Sequence, residues 1–146
     1  MNTNDAQLNK ELRRDEGVEY SPYKDTVGIW TVGVGHNMKA KPLPKDWTFP
    51  LTDAKVDQLL AEDLGEVFAG LDKNIPWWRN LSYDRQRIMA NMAFNLGIAG
   101  LIGFKNTLAH VQAERYQSAA ENMLASKWAR QVGDRAKRLA AMMVMG

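Results

Sequence analysis

Apolar residues recur at helical intervals along most of the chain and alternate in only one short stretch. Val56, Leu59, Leu60, Leu64, Val67, Phe68 and Leu71 recur at spacings of three and four along one face. That stripe predicts a helix over 52–72, opened by Thr52 and ended by Asn74, Ile75 and Pro76. A helix of about 20 residues spans roughly 30 Å, and its stripe is core. Upstream, Leu8 and Leu12 lie one turn apart and predict a helix over 4–15, with Asn4 as N-cap, Gln7 three places on, and Gly17 as the stop. After Pro22 the pattern turns to strand. Tyr23-Lys24-Asp25 precedes a turn through Thr26-Val27-Gly28, and Ile29-Trp30-Thr31-Val32 follows with β-branched and aromatic residues. Residues 37–50 hold Pro42, Pro44 and Pro50 and predict an irregular segment, one wall of a cleft.

Downstream everything reads as helix. Ser82 caps a segment with Ile88, Met89, Met92, Ala93 and Leu96 on its buried side, and Gly97 closes it. A turn-rich stretch to Gly103 precedes Phe104. Helical spacing then resumes at Leu108 and Val111, at Tyr116 through Leu124, and at Leu139, Met142 and Met143 after Asp134. The chain has 8 methionines, and those at helical spacing are expected as gap-filling core.

Composition narrows the classes. With 146 residues and 45% apolar content, the chain can bury one core in one domain, with room for two lobes. It has no cysteine, so no disulfide or redox chemistry is needed. No signal peptide or membrane span is readable. Residues 1–73 carry 9 Lys and Arg against 13 Asp and Glu, net −4, and residues 74–146 carry 10 against 4, net +6. The basic half has no dense run, so a solvated surface is its plain reading and an anionic polymer the sharper one.

The chemistry concentrates in residues 16–36. Glu16 falls at the C-terminal end of the first helix, where the dipole favours the protonated acid. If the hairpin is centred on Gly28, paired positions sum to 56 and Asp25 faces Thr31, with Cβ atoms roughly 4.5–5.5 Å apart and room for a water between them. Two carboxylates and a hydroxyl so placed are the apparatus of a glycosidase. Acids nine apart carry no information by themselves, and Glu11, Asp15 and Glu19 are assigned to the surface. Trp30 suits core packing or a sugar face, Gly33 and Gly35 a bend or a close backbone approach. His36 has no second histidine or cysteine at ligand spacing, so a structural role is favoured over a metal.

Asp15-Glu16-Gly17, Tyr23-Lys24-Asp25-Thr26, Gly28 and Thr31-Val32-Gly33-Val34-Gly35-His36 together resemble the active-site region of the phage-type lysozymes, the endolysins of glycoside hydrolase family 24. The resemblance extends over Arg87 to Gly97, Gly103 to Leu108, Trp128 and Asp134 to Arg138, covering nearly the whole chain. It implies an α+β fold, mostly helical: a small β-containing lobe over 17–52, a connecting helix over 53–73, and a helical lobe from 1–16 and 74–146. It implies Glu16, Asp25 and Thr31 as catalytic residues and Asn37, Phe94, Thr107 and Asn122 as sugar contacts. Asn37 and Thr107 depart from the commoner family residues. Arg135 corresponds to the arginine that pairs with the catalytic glutamate, and Arg138 lies one turn on. His36 is expected to pair with Asp63, with its pKa raised above the unfolded value.

The activity so implied is hydrolysis of the β-1,4 bond between N-acetylmuramic acid and N-acetylglucosamine, without metal or cofactor. Glu16 is the general acid, Asp25 the stabilising and orienting carboxylate, and Thr31 the residue that positions water, hence inversion. Inversion requires carboxyl groups about 6.5–9.5 Å apart, against near 5 Å for retention. A lytic transglycosylase would not need Asp25 and Thr31, and a non-catalytic peptidoglycan-binding module would need no proton donor. A nucleic-acid binder lacks a basic recognition helix. The partner is then the peptidoglycan glycan strand, the protein a monomer made in the host cytoplasm, without stable membrane insertion, and released through a separate pore-forming protein.

Overall fold

In a computed structural model describing residues 1–146, the chain forms seven α-helices and a three-stranded antiparallel sheet, an α+β fold. It divides into two compact units, Asn2–Glu66 and Val67–Gly146, the latter with Met1.

In the first unit, α1 runs Ala6–Glu16. Its N-cap is Asp5, whose carboxylate accepts from the Leu8 N–H at 2.9 Å. The expected cap at Asn4 is therefore one residue early. Both residues can cap, and Asp5 is the one whose side chain reaches the third amide of the helix. Leu8 and Leu12 are buried as their spacing requires, but so is Glu11, 4% exposed, and the Asp15 side chain. The surface assignment of these two acids was wrong, because α1 buries more than one leucine stripe.

The sheet comprises β1 (Glu19–Lys24), β2 (Trp30–Gly33) and β3 (His36–Asn37), in that order. β1 begins earlier than the sequence pattern suggests and takes in Pro22. The pairing shifts between Glu19 and Tyr23, and such an irregularity accommodates a residue with no N–H to give. Residues 38–50 are irregular. α2 (Asp53–Asn74) starts after Thr52, whose hydroxyl accepts from the Lys55 N–H, and contains the boundary between the units. Sheet and helix are tied by Tyr20, whose hydroxyl donates to Asp53 at 2.7 Å and whose carbonyl accepts from the Leu51 N–H at 2.7 Å. Arg13 of α1 pairs with Asp57 of α2. Val32, Val56, Leu59, Leu60 and Leu64 are buried.

The second unit continues from α2 through a 3-10 turn (Pro76–Asn80) into α3 (Tyr83–Ile102), α4 (Lys105–Gln112), α5 (Tyr116–Leu124), α6 (Lys127–Val132) and α7 (Asp134–Met145). Ser82 caps α3, and Gly97, at φ 76° and ψ 160°, breaks it. α5 packs on α4 and α7, and α7 also on α3 and α6. Met89, Met92, Met123 and Met143 are fully buried among these helices. Trp78 stacks on Phe68 and donates to Asp72, and Arg79 grips the same carboxylate with two nitrogens at 2.7 and 3.1 Å.

The position of the first cap is testable. Asp5→Ala should lower stability by about 1 kcal/mol or more in urea unfolding, whereas Asn4→Ala should change it by only a few tenths.

Candidate active site

Glu16 is the last residue of α1, half-buried, and the Gly17 N–H behind it closes the helix on the Arg13 carbonyl at 3.0 Å. Gly17 holds φ 76°, a left-handed value that turns the chain out of the helix at low cost only without a side chain. The turn between β2 and β3 passes close to the acid. A Cβ built on Gly35 would stand 2.5 Å from Glu16 Oε1 and 3.0 Å from its carboxyl carbon.

Asp25 lies just past β1 rather than on it. Its carboxylate Oδ1 accepts from the backbone N–H groups of Val27 (3.0 Å) and Ile29 (2.8 Å), while its own N–H donates to the Ile29 carbonyl and its carbonyl accepts from Gly28. The loop is thus three residues, Thr26 to Gly28, with Gly28 at φ 84° in the left-handed position such loops need. The observed pairs are Tyr23 with Thr31 and Lys24 with Trp30. The expected pairing of Asp25 with Thr31 is corrected by two residues, because the loop centres on Val27 and not on Gly28. A two-residue shift keeps face parity, so Asp25 becomes a diagonal neighbour of Thr31 instead of its partner.

Thr31 is 6% exposed, and its hydroxyl donates to the Ile29 carbonyl at 3.0 Å. Donation leaves that oxygen able to accept a hydrogen from water. Across the strand from Thr31, Tyr23 has its phenol pKa raised, first by burial and then by the charges of Glu16, Glu19 and Asp25. One phenol therefore feels both candidate acids. On the other side of Thr31 sits Asn37, exposed, with its side-chain oxygen accepting from the Lys39 and Ala40 N–H groups at 2.9 Å each. Trp30 is 51% exposed and Lys24 approaches its ring, so a core position for it is excluded.

His36 is buried, with Nδ1 2.7 Å from Asp63 Oδ2 and Nε2 2.8 Å from the Lys41 carbonyl. Lys41 Nζ bridges Asp63 (2.8 Å) and Glu66 (2.7 Å). Burial alone pushes the imidazole pKa down, but the bonds to Asp63 and the Lys41 carbonyl outweigh it and the net shift is upward. Asp63 moves down: burial opposes this, and the bonds from His36 and Lys41 overcome it.

In the second unit, Phe94 is half-buried on α3. Thr107 is fully buried and donates to Asn122 Oδ1 at 2.6 Å, so whatever it contributes to a ligand passes through the orientation of that amide. Asn122 lines an open groove of about 790 Å³ with Phe104, Lys105, Trp128 and Gln131. Arg135 is buried, and its Nε donates to Asn91 Oδ1 at 2.9 Å.

Sequence reasoning missed Lys41 and Glu66, which complete the histidine network, and Tyr23, whose phenol is influenced by the charges of both acids. Glu66 lies three residues after Asp63 on α2, a same-face spacing that was available as a signal. Lys41 falls in the irregular segment and carried none. It also missed the Trp128 indole N–H donating to Asn95 at 2.7 Å beside the groove.

The phage lysozyme family matches residues 13–143. The chain is 26% identical over 157 residues to a probable T4-type lysozyme 1 of Dictyostelium discoideum, covering 92% of each chain. It is 32% identical over 115 residues to the endolysin of Salmonella phage P22, covering 77% of this chain and 75% of that one. A 26% match over 162 residues to the pre-baseplate central spike protein of Enterobacteria phage T4 covers 92% of this chain and only 27% of that larger protein.

The His36 network has a definite pH signature. A raised histidine pKa contributes stability that is complete below the unfolded value of 6.5 and is lost as pH rises through the folded value. The lowered Asp63 contributes above its unfolded value of 3.8 and is lost as pH falls through the folded one. The joint contribution is therefore greatest between those two values. Asp63→Ala should cost about 3–5 kcal/mol near pH 5–6 and less at pH 9, where His36 can shed its proton. Imidazole NMR should show His36 titrating above 6.5 in the wild type.

Proposed function

The chain belongs to the phage lysozyme family, and on that premise we propose that it cleaves the β-1,4 bond between N-acetylmuramic acid and N-acetylglucosamine in bacterial peptidoglycan, with inversion. The observation that carries this reading is the convergence around one strand position. Asp25, held by its own turn amides, ends the hairpin one diagonal step from the hydroxyl-bearing Thr31, whose cross-strand partner Tyr23 has its phenol pKa raised by burial and by the charges of Glu16, Glu19 and Asp25.

In the proposed reaction Glu16 gives its proton to the glycosidic oxygen as the bond to the anomeric carbon breaks, and the bonding pair leaves with that oxygen. Positive charge develops on the sugar, which the Asp25 carboxylate stabilises. Its Oδ1 is occupied by two turn amides, which fix the plane of the group. A water accepted by Thr31 Oγ1 attacks the anomeric carbon from the far face and passes its proton to Asp25. Both acids then re-equilibrate with solvent.

Asn37, Phe94 and Asn122 are assigned to glycan contact, with Thr107 holding the Asn122 amide in register. Asn37 is exposed beside Thr31, and Asn122 opens on a groove that combines aromatic faces with amide groups, the usual lining for a sugar. His36 and Asp63 support the sheet, and Arg135 is assigned a supporting electrostatic role. The wider reading is an endolysin that acts as a monomer in host cell lysis and reaches the wall from the cytoplasm through a pore made by another protein. No single helix is long and apolar enough to cross a membrane.

Product analysis on purified peptidoglycan tests the reaction. Proton NMR of the first product should show the α-anomer; a β-anomer would rule out inversion, and an anhydro-sugar end would mean transglycosylation. Glu16→Gln should fold normally and lose activity by about 100- to 10,000-fold, and full lysis by that variant would sink the assignment.

A further inference from the structure

Two demands meet at Gly35, and they can be separated. Its φ is 61°, in the left-handed region. That alone does not require glycine, since this same chain holds Glu114 at φ 61°. The second demand is space. The Cβ that any other residue would bring lies 2.5 Å from Glu16 Oε1, 3.0 Å from its carboxyl carbon and 3.1 Å from its Cβ, so the carboxyl would have to move. Gly33, two residues earlier at φ 66°, has the same backbone requirement, but a Cβ there would only touch Leu59 Cδ2 at 3.4 Å. Gly17 and Gly28, also left-handed, would have nothing within 4 Å. Of the glycines around this site, Gly35 is the one whose missing side chain is filled by the acid.

We propose that Gly35 is a positioning residue for the proton donor: its bare backbone forms the wall against which the Glu16 carboxyl rests, setting the direction in which the acid presents its proton. The wall is itself anchored, because the next residue, His36, is held at both ring nitrogens. A glutamate side chain has several staggered rotamers to choose from. Resting one edge on a fixed peptide removes those that point back toward the β2–β3 turn. The inference rests on the assignment of Glu16 as the acid.

The test compares Gly35→Ala with Gly33→Ala. Both place a side chain at positive φ, so both lose stability from backbone strain. Only the first displaces Glu16. On soluble peptidoglycan fragments, below the unfolding transition of either variant, Gly35→Ala should lower kcat by about 100-fold with KM changed less than about threefold. Gly33→Ala should keep kcat within about twofold. Equal kcat values for the two variants would overturn the proposal.

A double-mutant cycle on thermal stability reads the contact without activity. The loss in Tm caused by Gly35→Ala should shrink in a Glu16→Ala background, where the carboxyl no longer occupies the space. If Gly35→Ala alone does not fold but the double variant does, the contact is supported equally. An unchanged loss in both backgrounds would refute it. Should Glu16→Gln stay active while the coupling persists, the contact stands and only the catalytic assignment of Glu16 fails.

Discussion

The first unit is tied together at a buried histidine. A sheet of three strands, whose edge strand is two residues long, cannot hold its own position in water, and the apolar side chains of β2 supply only part of what is missing. His36 adds a second tie beside the one Tyr20 makes to Asp53 and Leu51. Both of its ring nitrogens face groups that only accept, the Asp63 carboxylate and the Lys41 carbonyl, so the ring is satisfied at both ends only as the imidazolium. Burial opposes that charge, and the acceptors win because they are near and Asp63 is itself charged. The result joins β3, the irregular segment and α2 at one point. Lys41 then returns its ammonium to Asp63 and Glu66, so the segment that accepts the ring proton also neutralises the carboxylate holding the ring.

That lock sits one residue from the candidate chemistry. Gly35 is the chain neighbour of the doubly bonded His36, and the Glu16 carboxyl lies against it. The second acid is secured by different means. Asp25 is clamped by amides of its own turn, a purely local device that needs no packing against another element. One acid thus owes its position to a long-range lock, with residues 16, 35, 36 and 63 far apart in sequence, and the other to five consecutive residues.

Much of this was legible in the residues. The α2 stripe, the Thr52 and Ser82 caps and the Gly97 break obey local rules, and the structure follows them; of the methionines, Met89, Met92, Met123 and Met143 are core but Met145 is 85% exposed. The hairpin was legible in kind but not in register. Gly28 marks the left-handed position of the loop, which is its last residue and not its centre, and taking the glycine as the centre moved every pair by two. Face parity survived the error, so Asp25 and Thr31 remain neighbours. The burial of Glu11 and Asp15 was not legible, because amphipathic reasoning sends acids outward unless a partner is known beforehand.

The least legible features are those made by absence. Gly17, Gly28, Gly33 and Gly35 look alike in a sequence, and all four have positive φ in the structure. A glycine announces only that a side chain is missing; it does not say whether backbone freedom or space was the reason. At 17 and 28 nothing lies where a Cβ would be, and freedom suffices as the cause. At 35 a carboxyl fills the place, and freedom is not enough. The distinction depends on a neighbour nineteen positions away along the chain, which no local pattern encodes. Reading a motif such as Gly33-Val34-Gly35-His36 as a unit therefore conceals that its two glycines answer to different constraints, one conformational and one steric.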